Sequence, residues 1–103
     1  MQNSAPVAEI VVFRLLPGAN KAAFIAQAHT VEQALSVSDQ MLTRTLSCTD
    51  QGDWTDYLVW ASAEAARTAA AEVMASQDCA AFLSMIDPDS VRMRHDTVAR
   101  RMD

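Results

Sequence analysis

From Val7 to Leu16 the chain is β-branched and almost continuously apolar, and it stops at Pro17-Gly18. A run of this kind bounded by turn residues predicts a buried strand in the centre of a sheet. The period then changes. Phe24, Ala28, Val31 and Leu35 recur at helical spacing behind Asn20, a residue suited to capping, which predicts an amphipathic helix from Lys21 to about Val37. Gln40 to Thr49 sets Leu42, Arg44, Leu46 and Cys48 against Met41, Thr43, Thr45 and Ser47. This period of two, with polar residues on each side, predicts a strand at a sheet edge. Asp50-Gln51-Gly52-Asp53 has the chemistry of a hairpin turn, so Trp54 to Ala61 should pair antiparallel with the strand before it.

The second half repeats the theme. Ser62 is placed to cap an alanine-rich helix running to Ser76, with Ala66, Ala69, Ala70, Val73 and Met74 expected on its buried stripe. The pattern breaks around Gln77 and Asp78, and a short helix from Cys79 to Ile86 offers Phe82, Leu83 and Ile86 for packing before Asp87-Pro88-Asp89 ends it. Ser90 to Asp96 alternates Val91, Met93 and His95 with Arg92, Arg94 and Asp96, the pattern of a second edge strand. The order is β-α-β-β-α-β, for which a four-stranded antiparallel sheet with the helices on one face is the matching α+β arrangement. The first and third strands would be central, and Arg44, Arg92 and Arg94 fall on the strands expected at the edges. The first strand carries apolar residues on both sides, Ile10, Val12 and Leu16 on one and Val11, Phe13 and Leu15 on the other. Helices cover one face only, so a second copy of the same sheet is the expected cover for the other.

A chain of 103 residues is the size of one domain, and residues 1–6 and 97–103 are expected to fray at its ends. The formal net charge of -5 argues against a nucleic-acid backbone or an anionic membrane surface as partner, since both require clustered Lys and Arg. No signal-peptide pattern or membrane-length apolar run is present, which leads to the expectation of a cytoplasmic protein. Cys48 and Cys79 lack metal-like or redox-like spacing, and no Gly-rich phosphate loop or ligand cluster points to a metal or cofactor.

The run Ile10-Val11-Val12-Phe13-Arg14-Leu15-Leu16-Pro17-Gly18-Ala19, the helix bearing Phe24 and Ala28, and the transition Trp60-Ala61-Ser62-Ala63-Glu64-Ala65-Ala66 resemble the antibiotic-biosynthesis-monooxygenase-like superfamily. The resemblance spans about Ala8 to Asp96. It implies a ferredoxin-like fold that dimerises into an α/β barrel, and it implies activities ranging from cofactor-independent oxygenation of polycyclic phenols to haem degradation. The haem-degrading branch uses an Asn on the first strand, a Trp on the third and a His on the second helix. This chain offers Trp60 but neither of the other two.

Among candidate residues, His29 lies at the flank of the first helix's apolar stripe, where an imidazole could accept a phenol proton near neutral pH. It is the candidate catalytic residue. Trp60 ends a central strand and could stack on an aromatic ligand while offering its N–H; Tyr57 alternates to the opposite face. Arg14 is a charge inside an apolar strand, so the expectation is either a partner, Glu9, Asp56 or a ligand anion, or partial exposure near the strand end. Two functions fit these residues, beside a purely structural module whose sheet-to-helix space is filled by Phe, Met and Trp side chains. One is a cofactor-free monooxygenase acting on a small aromatic or polyketide-like molecule, with His29 as base and Trp60 and Arg14 binding the ligand. The other is a non-catalytic homodimer that binds a small hydrophobic molecule or serves as an accessory subunit.

Overall fold

The computed structural model describes residues 5–102. Strand β1 (Val7–Phe13) leads to helix α1 (Lys21–Leu35), strands β2 (Met41–Cys48) and β3 (Trp54–Trp60), helices α2 (Ala63–Ala75) and α3 (Gln77–Ser84), and strand β4 (Arg92–Thr97). Short 3-10 turns at Ser36–Ser38 and Pro88–Ser90 lead into β2 and β4. The sheet order is β2-β3-β1-β4, with every pairing antiparallel, so β1 and β3 are central as the apolar pattern predicts.

Local chemistry sets the boundaries. The Asn20 side chain accepts from the Ala23 amide at 2.8 Å and opens α1, and Ser62 does the same for α2 from Ala65 at 3.1 Å. Ser76 ends α2 and its hydroxyl accepts from Asp78, starting α3 two residues earlier than the sequence pattern predicts. Gly52 closes the β2–β3 hairpin at φ 84°, a conformation that an L side chain resists. At its far end, β1 stops at Phe13, short of the expected Leu16. Beyond it, Leu15 bridges Ile86, and the Asp87 amide donates to the Arg14 carbonyl, so the segment after α3 replaces β4 as partner. At the other end, pairing continues past the expected fraying point. Thr97 is part of β4, and the Val98 amide donates to the Pro6 carbonyl at 2.9 Å. Met1–Ser4 and Asp103 lie outside the described residues.

Cross-strand register stacks the helix-facing side chains in four rows. Cys48, Trp54 and Phe13 form the first; Leu46, Asp56, Val11 and Met93 the second; Arg44, Leu58, Glu9 and His95 the third; and Met41, Trp60, Val7 and Thr97 the last. The first row meets the helices through aromatic rings. Phe13 and Trp54 lie nearly parallel at 6.4 Å, and Phe24 of α1 sets its edge against them at 5.7 and 4.9 Å. Phe24 also stacks on Phe82 of α3 at 4.8 Å, tying both helices to this end of the sheet. At the other end α2 presents alanines. Ala66 and Ala69 are buried, but Ala70 and Met74, expected in the same stripe, are exposed. Small side chains at this end leave space between helix and sheet.

The opposite face of the sheet carries Ile10, Val12, Thr55, Tyr57 and Val59 from the central strands, with Val12 and Tyr57 exposed. Arg92 and Arg94 belong to this face at the β4 edge, consistent with their exposure. Arg44 does not. Its guanidinium points among the helices, so β2 is an edge strand for reasons other than the one its arginine suggested.

Phe24 is fully buried at the junction of sheet, α1 and α3. Phe24→Ala should lower the free energy of unfolding by about 3–5 kcal/mol, read from the urea midpoint, because the three neighbouring rings cannot collapse into the space.

Candidate functional site

A cavity of about 490 Å³ occupies the space between the sheet and the helices. Its floor is Glu9, Val11, Asp56, Leu58 and Trp60, and its roof is Ala69, Ala70 and Val73 of α2 with Phe82 and Leu83 of α3. Met74 of α2 and Met93 of β4 also line it while being 76% and 55% exposed, which places them at its opening. Flexible, polarisable thioethers at a mouth can adapt to ligands of differing outline.

Four lining residues carry polar groups: Glu9, Arg44, Asp56 and Trp60. Two of them neutralise one another. Arg44 and Asp56 are diagonal neighbours across the β2–β3 hairpin and form a bidentate pair, Nε to Oδ1 at 2.9 Å and Nη2 to Oδ2 at 2.7 Å. Their side chains are 4% and 9% exposed. The remaining Nη1 donates to the Ala28 carbonyl of α1 at 2.8 Å, and the guanidinium lies 5.7 Å from the Phe82 ring centre. One arginine therefore links β2, β3, α1 and α3, and a buried charge is tolerable here because its partner and hydrogen bonds replace water. Being so fully engaged, this pair shapes the wall and offers a ligand little.

Trp60 differs. It is 2% exposed and its Nε1–H has no acceptor among the described residues. A buried N–H without an acceptor costs about 1–3 kcal/mol. Glu9 lies one row away on β1, and its carboxylate is 3.1 Å from His95 Nε2 on β4. The Glu9 side chain is 14% exposed and that of His95 45%, so the carboxylate is the inner member and the imidazole the outer.

The structure brings only one of the three candidate residues to the cavity. Trp60 lines it; His29 is exposed on α1 and is not part of its lining. Arg14 sits at the hairpin end of the sheet, more than half exposed, and pairs with Asp53 and with the Gln51 carbonyl. Asp53 was not among its expected partners, and the position beyond the end of β1 is what lets the guanidinium reach the β2–β3 turn. Arg14 borders a smaller, open depression with Lys21, Cys48 and Trp54. Both cysteines are free thiols, Cys79 being fully buried. No helix among the described residues is long and apolar enough to cross a membrane.

No family model and no curated protein matches the chain. Solved structures do. A variant of SnoaB, a cofactor-independent oxygenase from Streptomyces nogalater, aligns with a TM-score of 0.77 at 14% identity, over 96% of this chain and 98% of that chain. A Chloroflexus aurantiacus protein provisionally named an antibiotic biosynthesis monooxygenase aligns with a TM-score of 0.72 at 13% identity, over 96% and 98%. Rv0793 from Mycobacterium tuberculosis aligns with a TM-score of 0.67 at 17% identity, over 96% and 100%. The chain thus shares the ferredoxin-like fold of these solved structures.

Removing one member of the buried ion pair should be far worse than removing both. Arg44→Met should destabilise the protein by about 3–5 kcal/mol by leaving Asp56 buried and unpaired, and adding Asp56→Leu should restore most of that loss in the same denaturation assay.

Proposed function

We propose that the cavity binds a small aromatic or polyketide-like molecule and that the protein is a cofactor-independent monooxygenase acting on it. The observation that carries this reading is the apolar cavity of about 490 Å³ between sheet and helices, with the Trp60 ring in its lining. Apolar walls with a few fixed polar groups are what a flat, ring-based ligand needs, and an N–H donor selects one that carries a carbonyl or phenolic oxygen. SnoaB supports the choice of chemistry by fold and by what it is named to do. In such a reaction a ring CH₂ flanked by phenolic rings and O₂ become a ring C=O and water, the electrons coming from the substrate's own C–H bonds. A protein performing it has to hold the substrate, take up a proton to form the electron-rich anion, and stabilise negative charge on the ring oxygen. The Trp60 N–H suits the last of these tasks.

The direct test is oxygen uptake by the purified protein, without added metal or flavin, in the presence of tricyclic phenols. Uptake matched by quinone absorbance is expected; tight binding without uptake would favour the non-catalytic binding protein instead. Trp60→Phe should leave the unfolding free energy within about 1 kcal/mol, since no hydrogen bond is lost, yet weaken binding of the bicyclic ketone α-tetralone about five- to tenfold by calorimetry.

We also infer that a second copy covers the helix-free face. Val12 and Tyr57 are exposed there beside Ile10 and Val59, and a two-fold sheet-on-sheet contact would bury these apolar side chains against their own counterparts. Native mass spectrometry should show twice the 11.2 kDa chain mass, and Tyr57→Lys should return it to the single mass.

A further inference from the structure

We propose that Glu9, held by His95, is the proton-accepting group of the cavity and selects ligands that present a hydroxyl; this rests on the reading of the cavity as a small-molecule site. Four polar residues line the space, and their partners distinguish them. Asp56 has both carboxylate oxygens on the Arg44 guanidinium, and Arg44 spends its third nitrogen on the Ala28 carbonyl. Trp60 can only donate. Glu9 is the one acceptor in the lining with an oxygen left over, because only Oε1 is engaged by His95 among the described residues.

The surroundings suit that role. Arg44 on β2 and Asp56 on β3 are the other charged groups of the lining, and they compensate one another; His95 on β4 is the titratable neighbour. The cavity-facing residues of α1, α2 and α3, namely Val31, Leu35, Ala69, Ala70, Val73, Met74, Phe82 and Leu83, are all apolar. A hydroxyl brought against Glu9 therefore meets an acceptor in a setting poor in water, where a hydrogen bond or proton transfer is worth more than in solvent. The ligand O–H bond breaks, an O–H bond forms on Glu9 Oε2, and the ligand is left as its anion. In the resting pair the Nε2–H of His95 donates to Oε1, so the imidazole steadies the carboxylate and leaves Oε2 to take the proton. This gives an inner base held in place from β4. Glu9 and Trp60 sit in adjacent rows on neighbouring strands, a diagonal separation of about 7–8 Å that lets one fused-ring ligand touch both.

Two probes of nearly equal shape separate this role from mere packing: 1-naphthol, which has a proton to give, and 1-methoxynaphthalene, which has none. Calorimetry on the full chain should show the naphthol preferred by at least tenfold, Glu9→Leu abolishing the preference without weakening the ether, and His95→Ala reducing the preference with the ether affinity and Tm unchanged. Because naphthol is a strong acid when excited, bound 1-naphthol should emit as naphtholate in the wild type and as the neutral form in Glu9→Gln. Binding of both probes with a preference and an emission indifferent to Glu9 would overturn the assignment while leaving the cavity reading intact. Binding of neither probe would overturn both.

Discussion

The decisive constraint in this molecule is that one sheet face must be covered by helices whose side chains differ greatly in size from end to end. Phe13, Trp54, Phe24 and Phe82 fill one end and set the distance at which α1 and α3 stand from the strands. The alanines of α2 reach less far toward the strands, and the cavity lies between them, the sheet and the Phe13 and Phe82 rings. In a core, such a void forfeits dispersion and transfer energy. Its persistence across an otherwise closely packed sheet–helix interface is the physical ground for treating it as a site.

Arg44 and Asp56 stand in the wall of that void. An ion pair buried between strands and anchored to the α1 backbone has a geometry that cannot slide without leaving charges unpaired, unlike an apolar contact. It holds the β2–β3 hairpin and α1 in one relative position and so fixes the wall beside Leu58 and Trp60. Glu9 and His95 form the complementary, looser pair on the other side of β1, nearer solvent. One face of a single sheet thus combines a buried, fully satisfied pair with a more exposed, partly satisfied one.

Much of this could be read from the amino-acid order. Element order, the central place of β1 and β3, the caps at Asn20 and Ser62 and the stripe Phe24, Ala28, Val31, Leu35 all follow from local rules, because periodicity and capping act over a few residues. Parity also carried a signal for the buried pair. Arg44 shares its strand face with Leu46 and Cys48, and Asp56 shares its own with Trp54, Leu58 and Trp60, so two opposite charges stood in two apolar faces joined by a hairpin.

The rest depended on distances between elements far apart in the chain. Whether His29 turned inward depended on how α1 rolled onto the sheet, which the aromatic cluster decides, and Arg14 found Asp53 because β1 ended one residue before it. Glu9 meets His95 only through the register of the first strand with the last, across 86 residues of sequence. The alanine content of α2 was plain in the sequence, but alanine serves equally for close packing and for leaving room. Only the thickness of the aromatic end, set by side chains on three other elements, makes it room.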